Sequence, residues 1–400
     1  DGVSNSETVT VNPGTAILAN STVSVSSTTL STDDVVTVSV QLKDVDGNDM
    51  PNDTETVVIS TSSDDATLTA VVSRGGGLYE AELSSTTVGD IIISATINGF
   101  DVDSTPTVSV VPGAPSLITS TVVSADASLV ADGVSSTLIT VQLKDAAGNN
   151  IVTGGEDVEI FITEGKLVAE VADNSDGTYT REILSPTETG IALVNVSING
   201  DFMANRVMID FTAGPIDPST IEIGTSAEAF TTDETITVTL VAFDVFGNPS
   251  SNAGSIAITS TLDGSSATSV TETSTGNFTA TFSATKAGIA TLGAEIDGVA
   301  STSTADVTVN GGAVQLAQST VERSMSAATT DDAVVITVRL NDAYGNPSSS
   351  TPEVAATTSL AGTSAGTATM VSAGVYEIPV TSVARGVTFV TATVDGTPLP

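Results

Sequence analysis

The sequence predicts an all-β protein made of four tandem Greek-key β-sandwich domains, and three observations carry that prediction. The first is a repeat about one hundred residues long. The second is a hydrophobic period of two inside each copy, and the third is turn chemistry at matching places. Asp-x-x-Gly-Asn recurs at Asp44–Asn48, Asp145–Asn149, Asp244–Asn248 and Asp342–Asn346, at spacings of 101, 99 and 98 residues. A Gly-x-aromatic element follows at Gly77–Tyr79, Gly177–Tyr179, Gly276–Phe278 and Gly374–Tyr376. A two-residue turn comes third, at Asn98-Gly99, Asn199-Gly200, Asp297-Gly298 and Asp395-Gly396. Landmarks in one order and phase mean four copies of one domain. The period is too long for a solenoid unit of roughly 20–50 residues, so each copy should bury its own core.

The elements follow in order within a copy. The segment entering the first Asp-x-x-Gly-Asn sets Val36, Val38, Val40 and Leu42 on one face and Thr37, Ser39, Gln41 and Lys43 on the other. Its counterparts are Ile139, Val141 and Leu143, then Ile236, Val238 and Leu240, then Val334, Ile336, Val338 and Leu340. The segment before the two-residue turn alternates likewise, through Ile91, Ile93, Ala95 and Ile97 in the first copy. Such alternation describes strands with one face in a core and one in water. Asn-Gly and Asp-Gly accept the positive φ of a type I′ turn, so each should close a hairpin. No stretch has a capped 3.6-residue period. About seven strands per copy, punctuated by Gly, Pro, Asn and Asp, is the pattern of a Greek-key sandwich.

Composition narrows the function. Hydrophobic residues make up 40% of the chain, enough for four small cores, while 4% is aromatic and Trp is absent. The charge balance is 48 acidic residues against 10 Lys and Arg, a formal net charge of −38. Nucleic acid and anionic lipid surfaces should repel such a chain, and divalent cations should be drawn to it. With no Cys, no disulfide staples the domains. No apolar run approaches the roughly 18 residues a transmembrane helix needs.

Pro13-Gly14, Pro112-Gly113, Gly214-Pro215 and Gly311-Gly312 mark the junctions. They give domains at 14–112, 113–213, 214–311 and 312–400, with 1–13 reading as the last strand of a preceding copy. Short Pro-containing linkers restrict the angle between neighbours, which predicts an elongated rod. Strands of roughly ten residues at about 3.3 Å each make it about 150 Å long. Asp1-Gly2 matches the turn at Asn98-Gly99, and residues 9–14 match 108–113. The fourth copy then lacks its own last strand. Two readings stay open: an excerpt of a longer array, or donation of that strand by another copy of the chain.

The residues also resemble a known family. Ala131-Asp132-Gly133, a Val/Ile/Thr strand and Lys144-Asp145-Ala146-Ala147-Gly148-Asn149 resemble the bacterial immunoglobulin-like (Ig-like) repeat of invasin and intimin adhesins. Asp176-Gly177-Thr178-Tyr179-Thr180, Gly190 and the strand ending at Asn199-Gly200 continue the likeness. Asp244–Pro249 and Asp342–Pro347 add the Pro of that family's Asp-x-x-Gly-Asn-Pro element, whereas the first copy has Asp49-Met50-Pro51. The resemblance covers nearly the whole chain and implies tandem Ig-like domains. The family's membrane barrel and receptor-binding tip have no counterpart here.

Without His or Cys there is no imidazole base, thiol nucleophile or Cys/His zinc site, so no enzyme is expected. The recurrent Tyr79, Tyr179, Phe278 and Tyr376 are expected as core or corner residues, and Phe243, Phe246 and Tyr344 as packing residues. Asp44, Asp46, Asn48, Asn52 and Glu55 follow a calcium-loop spacing, but Gly stands at the wrong position. The simpler reading is a turn whose Asp caps backbone amides. Calcium is weighed instead at the junctions, where acidic corners would face the Asp-x-x-Gly-Asn loop and the Asn/Asp-Gly turn of the next copy. Candidate Ca²⁺ ligands are Asp33, Asp34, Asp132, Asp145, Asp233, Asp244, Asp331, Asp332 and Asp342. The function expected is a non-enzymatic extracellular segment, the stalk of a bacterial cell-surface adhesin. Its partners would be neighbouring repeats or other copies. The competing expectation is a self-assembling surface-layer or filament subunit.

Overall fold

A computed structural model describes residues 6–51 and 54–400. The chain divides into two compact units, residues 1–212 and 213–400. Among the described residues all long elements are strands, and no helix is long and apolar enough to cross a membrane. Each repeat holds two sheets.

The first repeat shows the plan. Its strands are β1 (Thr22–Val25), β2 (Thr29–Ser31), β3 (Val36–Gln41), β4 (Val57–Thr61), β5 (Ala66–Leu68), β6 (Val72–Gly75), β7 (Leu78–Ser85), β8 (Gly89–Ile97), β9 (Phe100–Asp101) and β10 (Thr107–Val111). One sheet runs β1-β3-β7-β5 with β6 also on β7, and the other runs β2-β10-β8-β4 with β9 on β8. The pair β2–β10 is parallel and the others are antiparallel. The expected seven strands become ten because the first strand splits between the sheets, as β1 and β2, and edge strands break up. The third repeat keeps this plan, and the second keeps it with a single strand, Lys166–Asp173, in place of β5 and β6. In the fourth, the second sheet has three strands: Val354–Thr358, Val390–Val394 and Thr397–Pro398. At the start of the chain, residues 6–11 form no strand, and the earlier part of the expected 3–11 strand lies outside the described residues.

The alternating positions make the core. Val36, Val38, Val40 and Leu42 pack with Ile91, Ile93, Ala95 and Ile97 between the two sheets. Ile139, Val141, Leu143, Val194, Val196 and Ile198 do the same in the second repeat. Each such side chain contributes about 1.5–3 kcal/mol by leaving water. Tyr79, Tyr179, Phe278 and Tyr376 are buried in these cores, as expected. The Tyr179 hydroxyl also accepts the Glu156 amide at 2.9 Å, and that of Tyr79 donates to the Glu55 carbonyl at 3.1 Å. Turn residues Asn98, Asn199, Asp297 and Asp395 all have φ near 50°, as a type I′ turn requires. Phe246 and Tyr344 differ from expectation. They are 48% and 55% exposed, because the turn points their side chains outward while Asp244 and Asp342 hold their amides.

Candidate functional site at the repeat junctions

The Asp-x-x-Gly-Asn loop begins as a turn. Asp44 Oδ1 accepts the amides of Asp46 at 3.0 Å and Asn48 at 2.9 Å, and Gly47 takes φ 83°. This is the amide-capping reading of the motif. Of the calcium-spaced window, Asn52 lies outside the described residues, and Glu55 is bonded to the Asn98 side chain.

The other carboxylate oxygen reaches the linker. Asp44 Oδ2 accepts the Gly14 amide at 3.0 Å, and Asp145 Oδ2 accepts the Gly113 amide at 3.3 Å. Asp244 Oδ2 takes Gly214 at 3.0 Å and Asp342 Oδ2 takes Gly312 at 3.1 Å. The loop therefore fixes the first residues of its own repeat in all four copies.

Within each compact unit the preceding repeat joins in. In the first unit, Thr32 Oγ1 donates to Asp145 Oδ2 at 2.7 Å, and the Gly113 amide donates to Thr32 Oγ1 at 2.8 Å. Asp33 accepts the Ala114 amide at 2.7 Å, and Asn149 donates to the Thr86 carbonyl at 2.9 Å. In the second unit Thr232 Oγ1 donates to Asp342 Oδ2 at 2.6 Å, and Asp233 accepts the Ala313 amide. Asn346 donates to the Thr285 carbonyl at 3.0 Å and accepts the Ala287 amide at 3.0 Å. Gly113 and Gly312 leave room for this arrangement. A Cβ on either would sit 2.0 or 2.2 Å from the Asp33 or Asp233 carboxylate.

Electrostatics follow the donors. Hydrogen bonds from the Asn48 amide, the Asn48 side chain and the Gly14 amide lower Asp44 to about 2. At Asp342 burial pushes the carboxyl up, but Thr232, Asn346 and Gly312 outweigh it and bring it to about 2. Burial is likewise outweighed at Asp145, by Asn149 and Thr32, and at Asp244, by Asn248 and Gly214, so both are lowered. These carboxylates stay ionised although the side chains are buried.

The acidic corners bond to the linkers, Asp33 at Ala114 and Asp233 at Ala313, and it is the preceding Thr32 and Thr232 that reach the Asp145 and Asp342 carboxylates. Asp132 is lowered to about 2 by the Ser135 and Val134 amides of its own turn, and Asp332 accepts from Thr329. The Asp34 amide donates to the Ser31 carbonyl and the Asp331 amide to Thr329 Oγ1. Among the described residues no group of three or more carboxylates gathers where it could hold a metal ion. The Asn199 turn, expected at the junction, bonds within its own repeat, to Asp157 and Glu156. The sequence reading missed Thr32, Thr232 and the Asn149 and Asn346 side chains. The available signal was the Thr directly before the acidic pair, present at Thr32 and Thr232 but replaced by Ala131 in the second repeat.

A first strand split between two facing sheets makes each repeat an Ig-like sandwich, with its Asp-x-x-Gly-Asn loop seated on the linker. The chain belongs to the family described as invasin, domain 3, which matches residues 18–113, 116–214 and 217–312. Among solved structures it is similar to invasin, a bacterial integrin-binding protein, at 21% identity and a TM-score of 0.50. That match covers 94% of this chain and 77% of the other. It is also similar to FdeC, an Escherichia coli adhesin, at 23% identity over 75% of this chain and 100% of the other, with a TM-score of 0.49. For InvD of Yersinia pseudotuberculosis the identity is 22%, the coverage 70% and 84%, and the TM-score 0.48.

Proposed function

We propose that the chain is a non-enzymatic, extracellular stalk segment of a bacterial cell-surface adhesin, with four Ig-like domains in line that set distance and direction. The observation that carries this reading is the junction itself. A carboxylate of each repeat holds its own linker glycine, and in each compact unit the preceding repeat's Thr donates to the same carboxylate. Such a joint limits bending, which a spacer needs and a catalyst does not. The absence of His and Cys and the family membership agree with a structural role. Receptor binding is no part of the proposal. Small-angle scattering of the purified chain should give a monomer with a maximum dimension near 150 Å, from about 3.3 Å per strand residue. A particle of roughly half that length would defeat the reading. Ordered sheets or filaments formed by the chain alone would replace it with the surface-layer alternative.

A further inference from the structure

The outer face of one sheet in the second repeat departs from its counterparts. Phe161 and Phe202 approach each other with ring centroids 5.5 Å apart. Leu193 lies directly opposite Met208 on the neighbouring strand. Phe202 and Met208 are 62% and 64% exposed. Register identifies what the other repeats place here. Phe161 corresponds to Ser60, Thr259 and Thr357, and Phe202 to Asp101, Ala300 and Pro398. Met208 corresponds to Thr107 and Asp306. The same fold is therefore built three more times without an aromatic at 161 or 202. Ser197, cross-strand from Phe202, is buried on this face, and its Oγ has no hydrogen-bond partner among the described residues.

Exposed aromatic and Met side chains concentrated on one face, where the fold does not call for them, mark a recognition surface. Its rim is acidic: Glu159 and Asp210 are exposed on the same face, with Arg206 as the nearby base. A second copy of the chain would bring acid against acid, at a net charge of −38 each. An anionic lipid surface would be repelled for the same reason. We propose that this face docks a partner protein that presents an apolar centre ringed by Lys and Arg. The proposal stands apart from the stalk reading, because scattering from the chain alone does not depend on it.

The probe is a displayed library of short random peptides, selected on the full chain and counter-selected on a triple variant. Phe161→Ser, Phe202→Ala and Met208→Thr borrow the residues of Ser60, Ala300 and Thr107 in the sister repeats. Selected peptides should carry an aromatic or aliphatic centre flanked by Lys or Arg. Their synthetic forms should bind the parent at least about tenfold more tightly than the variant. Exchanging their Lys and Arg for Glu should abolish binding. The proposal fails if no peptide discriminates, or if discriminating peptides lack basic residues. It also fails if the parent self-associates through this face and the variant does not. Melting temperatures are measured in parallel, with Phe202→Ala alone as a second variant. A binding loss seen only in variants with a lowered melting temperature would assign the residues to stability and overturn the proposal.

Discussion

An aspartate that spends one oxygen on its own turn and the other on the linker does two jobs with one charge. At Asp342 both oxygens are engaged and the side chain is buried, so Asp342→Asn puts an amide donor where only acceptors fit. Losing a charged acceptor costs about 2–3 kcal/mol, which in a domain of this size lowers the melting temperature by roughly 10 °C or more. The same residue sets an acid limit. Its folded-state carboxyl sits at about 2, below the ordinary 3.8, so protonation favours the unfolded chain. Its contribution should be complete above about pH 4 and fall away as pH drops toward 2. Melting curves across that range should steepen in the parent and be flatter in Asp342→Asn. The capping half of this role was legible, because Asp and Gly spaced for a turn act on amides two and four residues on. The linker half was not, since Gly312 lies 30 positions upstream and Thr232 lies 110 upstream, and no local pattern encodes such a partner.

Between the landmarks, the strands were legible because a buried face repeats every second residue. Subtler features escaped. Arg181 occupies an inward position that Ala81, Ala280 and Ile378 hold elsewhere, and it donates to the carbonyls of Ile160 and Ala169. Ala169 sits in a bulge with φ 53°, where register against the neighbouring strand shifts. A lone Arg in an alternating run signals an exposed position, so the sequence points the wrong way. The Gly-x-aromatic landmark has a sharper cause than a generic turn. Gly177 lies where two chain segments cross, with φ 80°, and its carbonyl accepts the Leu143 amide at 3.0 Å. An added Cβ would stand 1.8 Å from the Ile151 carbonyl oxygen. Gly177→Ala should therefore destabilise the second repeat by about 3 kcal/mol or more, read as an early separate melting transition.

For the whole molecule, charge is the dominant unsatisfied quantity. Four ion pairs are found among the described residues, each at least partly exposed, and they neutralise little of the −38. Screening this self-repulsion should raise the melting temperature as NaCl goes from low millimolar to about 0.5 M, where the Debye length falls to a few Å. Calcium tests the junction carboxylates separately. Because Asp145 and Asp342 already accept amide and hydroxyl donors, CaCl₂ should match NaCl at equal ionic strength. A further calcium-specific rise, lost in Asp33→Asn with Asp34→Asn, would instead assign ions to the corners. The strand periodicity and family likeness came from the sequence because they recur. The docking face came only from register, because its residues are scattered across strands that the sequence cannot align.

The parallel pairing of β2 with β10 also decides how the protein answers to force. These strands lie at the entry and exit of the repeat, and the second and third repeats pair Ser128–Val130 with Val207–Thr212 and Ala229–Thr231 with Ala305–Asn310 in the same sense. Tension along the array pulls two parallel strands past each other, so their bonds are loaded together in shear and do not peel one at a time. The Thr32 amide to the Val111 carbonyl, at 3.1 Å, ends this clamp next to the junction threonine. Resistance to pulling then depends on where a domain's ends are tied, and a marginally stable sandwich can hold a load that its free energy of folding would not suggest. Stretching single molecules should show abrupt yields of repeats one to three, each releasing about 300 Å of chain at roughly 3.5 Å per residue. A tether that gives way gradually would mean that the strands unzip.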